Sequence, residues 1–120
     1  QVCIYCAAQT AALAEALPRF AKLNARVVLL YPGTADSVPQ FQAAVRSLGK
    51  PLPEGLTLAI DPDLLVVRSL NLEDALAKPS VLILDRQGVV RWNHVGADKV
   101  DRPSVDTLLE AVRRVDGAGR

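Results

Sequence analysis

The sequence has no methionine, one histidine and two cysteines in 120 residues, and the scarcity of histidine and cysteine removes whole classes of function. Two cysteines do not make the dense disulfide framework of small secreted scaffolds. A structural zinc takes about four Cys or His ligands, and Cys3, Cys6 and His94 fall short of that, so no metal site is expected. Aromatic residues make up only 4% of the chain and the formal net charge is +1, so the basic, aromatic-interleaved surface of a nucleic-acid binder is missing. No apolar run approaches a membrane span, and no charged segment leads into a signal-like apolar stretch. Half of the residues are nevertheless apolar, enough at this length for one domain, residues 1–120, with a core of its own. The missing initiator Met, and a start in the middle of a strand-to-helix junction, lead us to expect a domain that is incomplete at its N-terminus.

Against these absences stands Cys3-Ile4-Tyr5-Cys6, which runs straight into a helical pattern. Two thiols three residues apart in the first turn of a helix can close a small disulfide and reopen it, and the helix N-terminus favours the thiolate of the first. Covalent haem attachment needs His directly after the second Cys, and position 7 is Ala. Two buried structural cysteines are the plain alternative. A redox pair is favoured, and its chemistry calls for no metal or organic cofactor.

The remaining pattern reads as scaffold. Leu13, Leu17 and Phe20 recur at helical spacing, which predicts a helix from about Cys6 to Leu23 that Pro18 kinks without ending. The run Val27-Val28-Leu29-Leu30 predicts a strand buried on both faces, in a parallel sheet. Ser37 to Gln40 has capping-box spacing before a helix over 38–48. Residues 56–60 read as a strand, Asp61-Pro62 as the start of a short helix over 64–70, and 71–78 as connection. Val81–Leu84 and Val89–Trp92 flank Asp85-Arg86-Gln87-Gly88, which suits a hairpin with a type I turn and a glycine bulge. A last helix is expected from Asp101-Arg102-Pro103 to a stop at Gly117. This order implies an α/β domain whose mixed sheet carries helices on both faces.

Cys3-Ile4-Tyr5-Cys6 opening a helix, Pro79 directly before a hairpin strand and a C-terminal helix resemble the thioredoxin fold. Asp61-Pro62-Asp63, the stretch Pro79 to Asp85 and Gly88 to Arg91 resemble more closely its redoxin branch, the alkyl hydroperoxide reductase and thiol-specific antioxidant group. The resemblance implies a thioredoxin-like three-layer sandwich, from which the central strand before the Cys-x-x-Cys is missing except for Gln1-Val2. It implies Cys3 as nucleophile, Cys6 as resolving thiol and Pro79 in cis, facing the two sulfurs. The implied activity is thiol-disulfide oxidoreductase, with thiol peroxidase second and a non-catalytic binding module third. Position 79 weighs against a peroxidase, because typical peroxiredoxins carry there an Arg that polarises peroxide.

The partners implied are a disulfide-containing protein or small molecule and a thioredoxin- or glutathione-type reductant. An oligomer is allowed, and the cytoplasm is favoured unless a signal or anchor lies upstream. Lys78 is a candidate for lowering the pKa of Cys3, with a solvated lysine as its equal alternative. Tyr5 is a candidate substrate contact or a rim residue. His94 reads as a hairpin-end histidine, and Arg68, Arg102, Arg113 and Arg114 as helix surface.

Overall fold

The computed structural model describes residues 3–49, 53, 55–74 and 76–118. Helix α1 spans Ile4–Lys22 and starts earlier than the apolar spacing predicts, because Cys3, in extended conformation, serves as its N-cap. Pro18 lies inside α1 and does not end it. It removes the hydrogen bond to the Ala14 carbonyl, a loss offset by burying Ala16 and Phe20 on either side. Asn24, at φ 57°, turns the chain out of the helix.

Strand β1, Val28–Tyr31, pairs in parallel with β2, Thr57–Ile60, in the register Val28 to Thr57 through Tyr31 to Ile60. Between them lie a 3-10 turn, Ala35–Ser37, and helix α2, Val38–Ser47. Two expectations fail here. β1 is not buried on both faces: Val27, Leu29 and Tyr31 pack inward against helix residues, while Val28 and Leu30 are 55% and 37% exposed. The capping box at Ser37 does not form, since its hydroxyl donates to the Thr34 carbonyl and shares a hydrogen bond with the Tyr31 hydroxyl.

Helix α3, Leu65–Ser69, is held by the buried Asp61, whose carboxylate accepts the Val66 and Val67 N–H groups at 3.2 and 3.0 Å. The segment expected to be plain connection contains a small antiparallel pair, β3 (Glu73–Asp74) and β4 (Leu76–Ala77). Strands β5, Ser80–Leu84, and β6, Val90–Val95, form the expected hairpin. Gly88 sits at φ 82°, which favours glycine, and its N–H bonds the Asp85 carbonyl as a type I turn requires. Helix α4, Val105–Ala118, starts four residues later than expected and runs through Gly117. Pro103 disfavours helical backbone at Arg102, and the Ser104 hydroxyl caps the helix by accepting the Thr107 N–H at 3.1 Å.

Among the described residues, two buried clusters join the helices to the strands. Ala16 and Phe20 of α1 meet Leu108 and Leu109 of α4 over Val27, Val81 and Trp92. Ala7 of α1 meets Phe41 and Val45 of α2 over Leu29 and Tyr31, and the Tyr31 and Phe41 rings lie 5.1 Å apart. Leu109, 2% exposed, anchors the first cluster. Leu109→Ala is expected to cost about 3 kcal/mol, read as a fall in the urea midpoint at unchanged slope.

Among the described residues, the β1–β2 and β5–β6 ladders stay separate, with no strand bonded to both. The strand stub expected at Gln1-Val2 lies outside the described residues. No helix among them is long and apolar enough to cross a membrane.

The hairpin turn also carries an acid dependence. Asp85 accepts the Gln87 and Val89 N–H groups at 2.9 and 3.0 Å and pairs with Arg91 at 2.8 Å. The Val89 N–H, and then Arg91, hold its carboxyl below the ordinary carboxylate range. A carboxyl depressed in the folded state stabilises fully above its unfolded pKa, about 3.9, and loses that contribution as pH falls through the lower folded value. Melting temperature is therefore expected to drop below about pH 4, and Asp85→Asn is expected to flatten part of that drop in circular dichroism melts.

Candidate active site at the start of the first helix

Residues three apart share one face of a helix, and the first turn of α1 puts both thiols on that face. The Cys3 and Cys6 sulfurs are joined in a disulfide, with the Cα atoms 5.2 Å apart. The Cys3 sulfur also accepts the Cys6 N–H at 3.2 Å, so it sits where the helix presents unpaired donors. The turn is fixed from beneath. Ala7 is fully buried against Phe41 and Val45, and the buried Thr10 hydroxyl donates to the Cys6 carbonyl at 2.8 Å. Ile4 and Tyr5 stand outward, 64% and 40% exposed.

Among the described residues, the group set against the sulfurs is Arg102, expected on a helix surface and found instead in the loop before α4. Its Nη2 lies 3.3 Å from the Cys6 sulfur and 4.0 Å from that of Cys3. Nη1 donates to Gln9 Oε1 at 2.6 Å and Nε to the Lys99 carbonyl at 2.8 Å. These acceptors are all neutral, and partial burial pulls the guanidinium below its ordinary pKa, although an arginine stays cationic. Among the described residues no carboxylate is bonded to it, and a cation against a sulfur favours the thiolate once the disulfide opens. The sequence held one signal for this: Pro103 followed by the capping Ser104 moves the helix start beyond Arg102 and leaves that residue in a loop.

The other expected site residues fare differently. The Lys78–Pro79 bond is trans, not cis. Proline lacks an N–H, so at the head of β5 it sacrifices no ladder bond, and its carbonyl extends the hairpin by accepting the Gly96 N–H at 2.7 Å. The Lys78 side chain is exposed, and the cation at the sulfurs is Arg102. Tyr5 does share a surface with Arg102: both line a mainly apolar groove with Ala8, Gln9, Pro103 and Val105. His94, at the end of β6, is bonded through Nε2 to Asp101 Oδ1 at 2.9 Å. Among the described residues, no group of three or more His, Cys, Asp or Glu could hold a metal ion.

Solved structures of similar fold include Mycobacterium tuberculosis AhpC, with TM-score 0.78 and 19% identity, covering 94% of this chain and 62% of that one. Enterococcus faecalis AhpC has TM-score 0.76 and 18% identity, over 96% of this chain and 70% of that one. The mitochondrial 2-Cys peroxiredoxin of Plasmodium falciparum has TM-score 0.77 and 18% identity, over 95% and 70%. At such identities the likeness is one of fold, and the fold is thioredoxin-like. The chain spans under two thirds of the M. tuberculosis protein's length. No curated protein matches it. The model of the AhpC/TSA family, however, matches residues 1–93, so the chain belongs to the AhpC/TSA family.

Proposed function

We propose that this chain is a thiol-disulfide oxidoreductase in which Cys3 and Cys6 alternate between dithiol and disulfide. The observation that supports it best is the closed pair at the N-terminus of α1 with the Arg102 guanidinium over both sulfurs. The Cys3 thiolate attacks one sulfur of a substrate disulfide, forms a mixed disulfide and expels a substrate thiolate. The Cys6 thiolate, favoured by Arg102, then attacks the Cys3 sulfur and releases the second substrate thiolate, leaving the Cys3–Cys6 disulfide. A thioredoxin- or glutathione-type reductant supplies the two electrons and two protons that reopen it. Tyr5, exposed beside the pair, contacts the substrate.

Arg102 also favours a second reading, because it lies closer to Cys6 than to Cys3. In a thiol peroxidase the Cys6 thiolate attacks the O–O bond of a hydroperoxide, becoming a sulfenate as the alcohol or water leaves. The Cys3 thiol then closes the disulfide and expels water. The missing Arg at position 79 is no obstacle to this, since Arg102 brings a guanidinium by another route.

Mixing reduced protein in stopped flow with a model disulfide or with hydrogen peroxide separates the two, with the modified cysteine identified by mass spectrometry. Fast exchange through Cys3 with sluggish peroxide reaction is the expected result. Fast sulfenate formation at Cys6 would establish the peroxidase, and inertness to both would overturn both.

A further inference from the structure

We propose that Asp101, tied to His94, is a positioning residue that aims Arg102 at the cysteine sulfurs and so sets how readily the pair is reduced; this rests on the redox role proposed for Cys3 and Cys6. The chain of contacts starts at the guanidinium. Its Nε is fixed by the Lys99 carbonyl, and Lys99 belongs to the loop over 96–101, the first part of the 96–104 connection between β6 and α4.

Asp101 closes that loop on itself. Its Oδ2 accepts the Ala97 N–H at 2.8 Å while Oδ1 bonds His94 Nε2. Those two contacts, the Ala97 N–H first, hold the Asp101 carboxyl below the ordinary range, so it is anionic wherever the thiols react. Asp98 Oδ1 accepts the N–H groups of Val100 and Asp101, both at 2.9 Å. Gly96 is buried beneath, and a Cβ there would lie 2.6 Å from the Asp101 carbonyl and 2.7 Å from the Pro79 ring. Position 96 therefore has no room for a side chain, and the loop packs close against Pro79. His94 is itself held, stacked on Trp92 and paired across the hairpin with Val81.

This arrangement does two things for Arg102. It fixes the carbonyl that orients the guanidinium, and it turns the neighbouring carboxylate toward Ala97 and His94. The cation is left with neutral acceptors and the two sulfurs. Without the His94 bond, the loop loosens and the Asp101 carboxylate is free to swing to the adjacent guanidinium. Arg102 then draws away from Cys6, the thiolate loses its cation and the equilibrium moves toward the disulfide.

The test is a redox titration of Cys3–Cys6 in dithiothreitol buffers at pH 7, reading the oxidised fraction by alkylation and intact mass. Arg102→Gln is expected to shift the equilibrium about tenfold toward the disulfide, the effect of roughly one pKa unit on the thiolate. His94→Phe keeps a ring on Trp92 but loses the hydrogen bond, and is expected to shift it about threefold the same way, a positioning effect smaller than losing the cation. His94→Phe carries the test, because it leaves in place the Asp101 carboxylate that would swing to Arg102, whereas Asp101→Asn would remove it. In the Arg102→Gln background, His94→Phe is expected to add nothing. An unshifted His94→Phe, or a shift that persists in that background, overturns the positioning role. A wild-type pair that cannot be titrated at all overturns the redox role instead.

Discussion

Cys6→Ser is expected to stop disulfide turnover, by roughly three orders of magnitude or more, and to leave substrate trapped on Cys3 as a stable mixed disulfide. A serine hydroxyl at position 6 cannot resolve that bond, whereas the Cys6 thiolate lies one helical turn away in the same face. Cys3→Ser is expected to be equally inactive but to trap nothing. The pair encloses a very short loop, so its loss costs the fold only about 2 kcal/mol by chain entropy. Circular dichroism is therefore expected to show both variants folded, which assigns the lost turnover to chemistry. The trapped adduct, seen as added mass on a peptide containing Cys3, is the informative readout. An adduct on Cys6 in the Cys3→Ser protein, with none on Cys3, would reverse the two roles.

Arg102→Gln is the second large effect. The glutamine can still bond Gln9 or Lys99 but brings no charge to the Cys6 sulfur. The pH dependence of the exchange rate is expected to move upward by about one unit, with a loss of about tenfold in rate on its acid side. Above the displaced inflection the difference is expected to shrink, because a thiolate of higher pKa is intrinsically the better nucleophile. A uniform loss at every pH would mean that Arg102 holds structure rather than charge. Arg102→Lys is expected to recover part of the shift, since an ammonium restores the charge without the guanidinium's fork.

Much of this protein was readable from local pattern. The Cys3–Cys6 spacing and the β5–β6 hairpin with Gly88 in its turn follow from neighbours in sequence. What failed depended on partners far along the chain. The strand at 28–31 reads as apolar throughout, yet only alternate residues find helices to pack against, so Val28 and Leu30 stay exposed. Gly117 resembles a helix stop, but α4 runs through it.

Arg102 shows the limit most clearly. It meets Cys6 across 96 positions, a contact that no spacing rule encodes. Only the Pro103-Ser104 signal for a later helix start hinted that it lay off the helix. Pro79 fails for the opposite reason: the residue and its place before a strand matched the resemblance, while the cis bond inferred from it is absent. His94 reads in the sequence as a hairpin-end residue, and its bond to Asp101 depends on how the 96–101 loop folds back.

The measurement that tests the central claim most directly is whether Cys3 and Cys6 open and close reversibly in the folded protein. Intact mass after alkylation, followed through cycles of dithiothreitol and a model disulfide with Trp92 fluorescence as the monitor of fold, reads it in one experiment. The account predicts a gain of two alkyl groups on reduction, full loss of that labelling on reoxidation, and fluorescence of a folded chain throughout. A pair that labels only after denaturation, or stays reduced in the presence of excess disulfide, would contradict it.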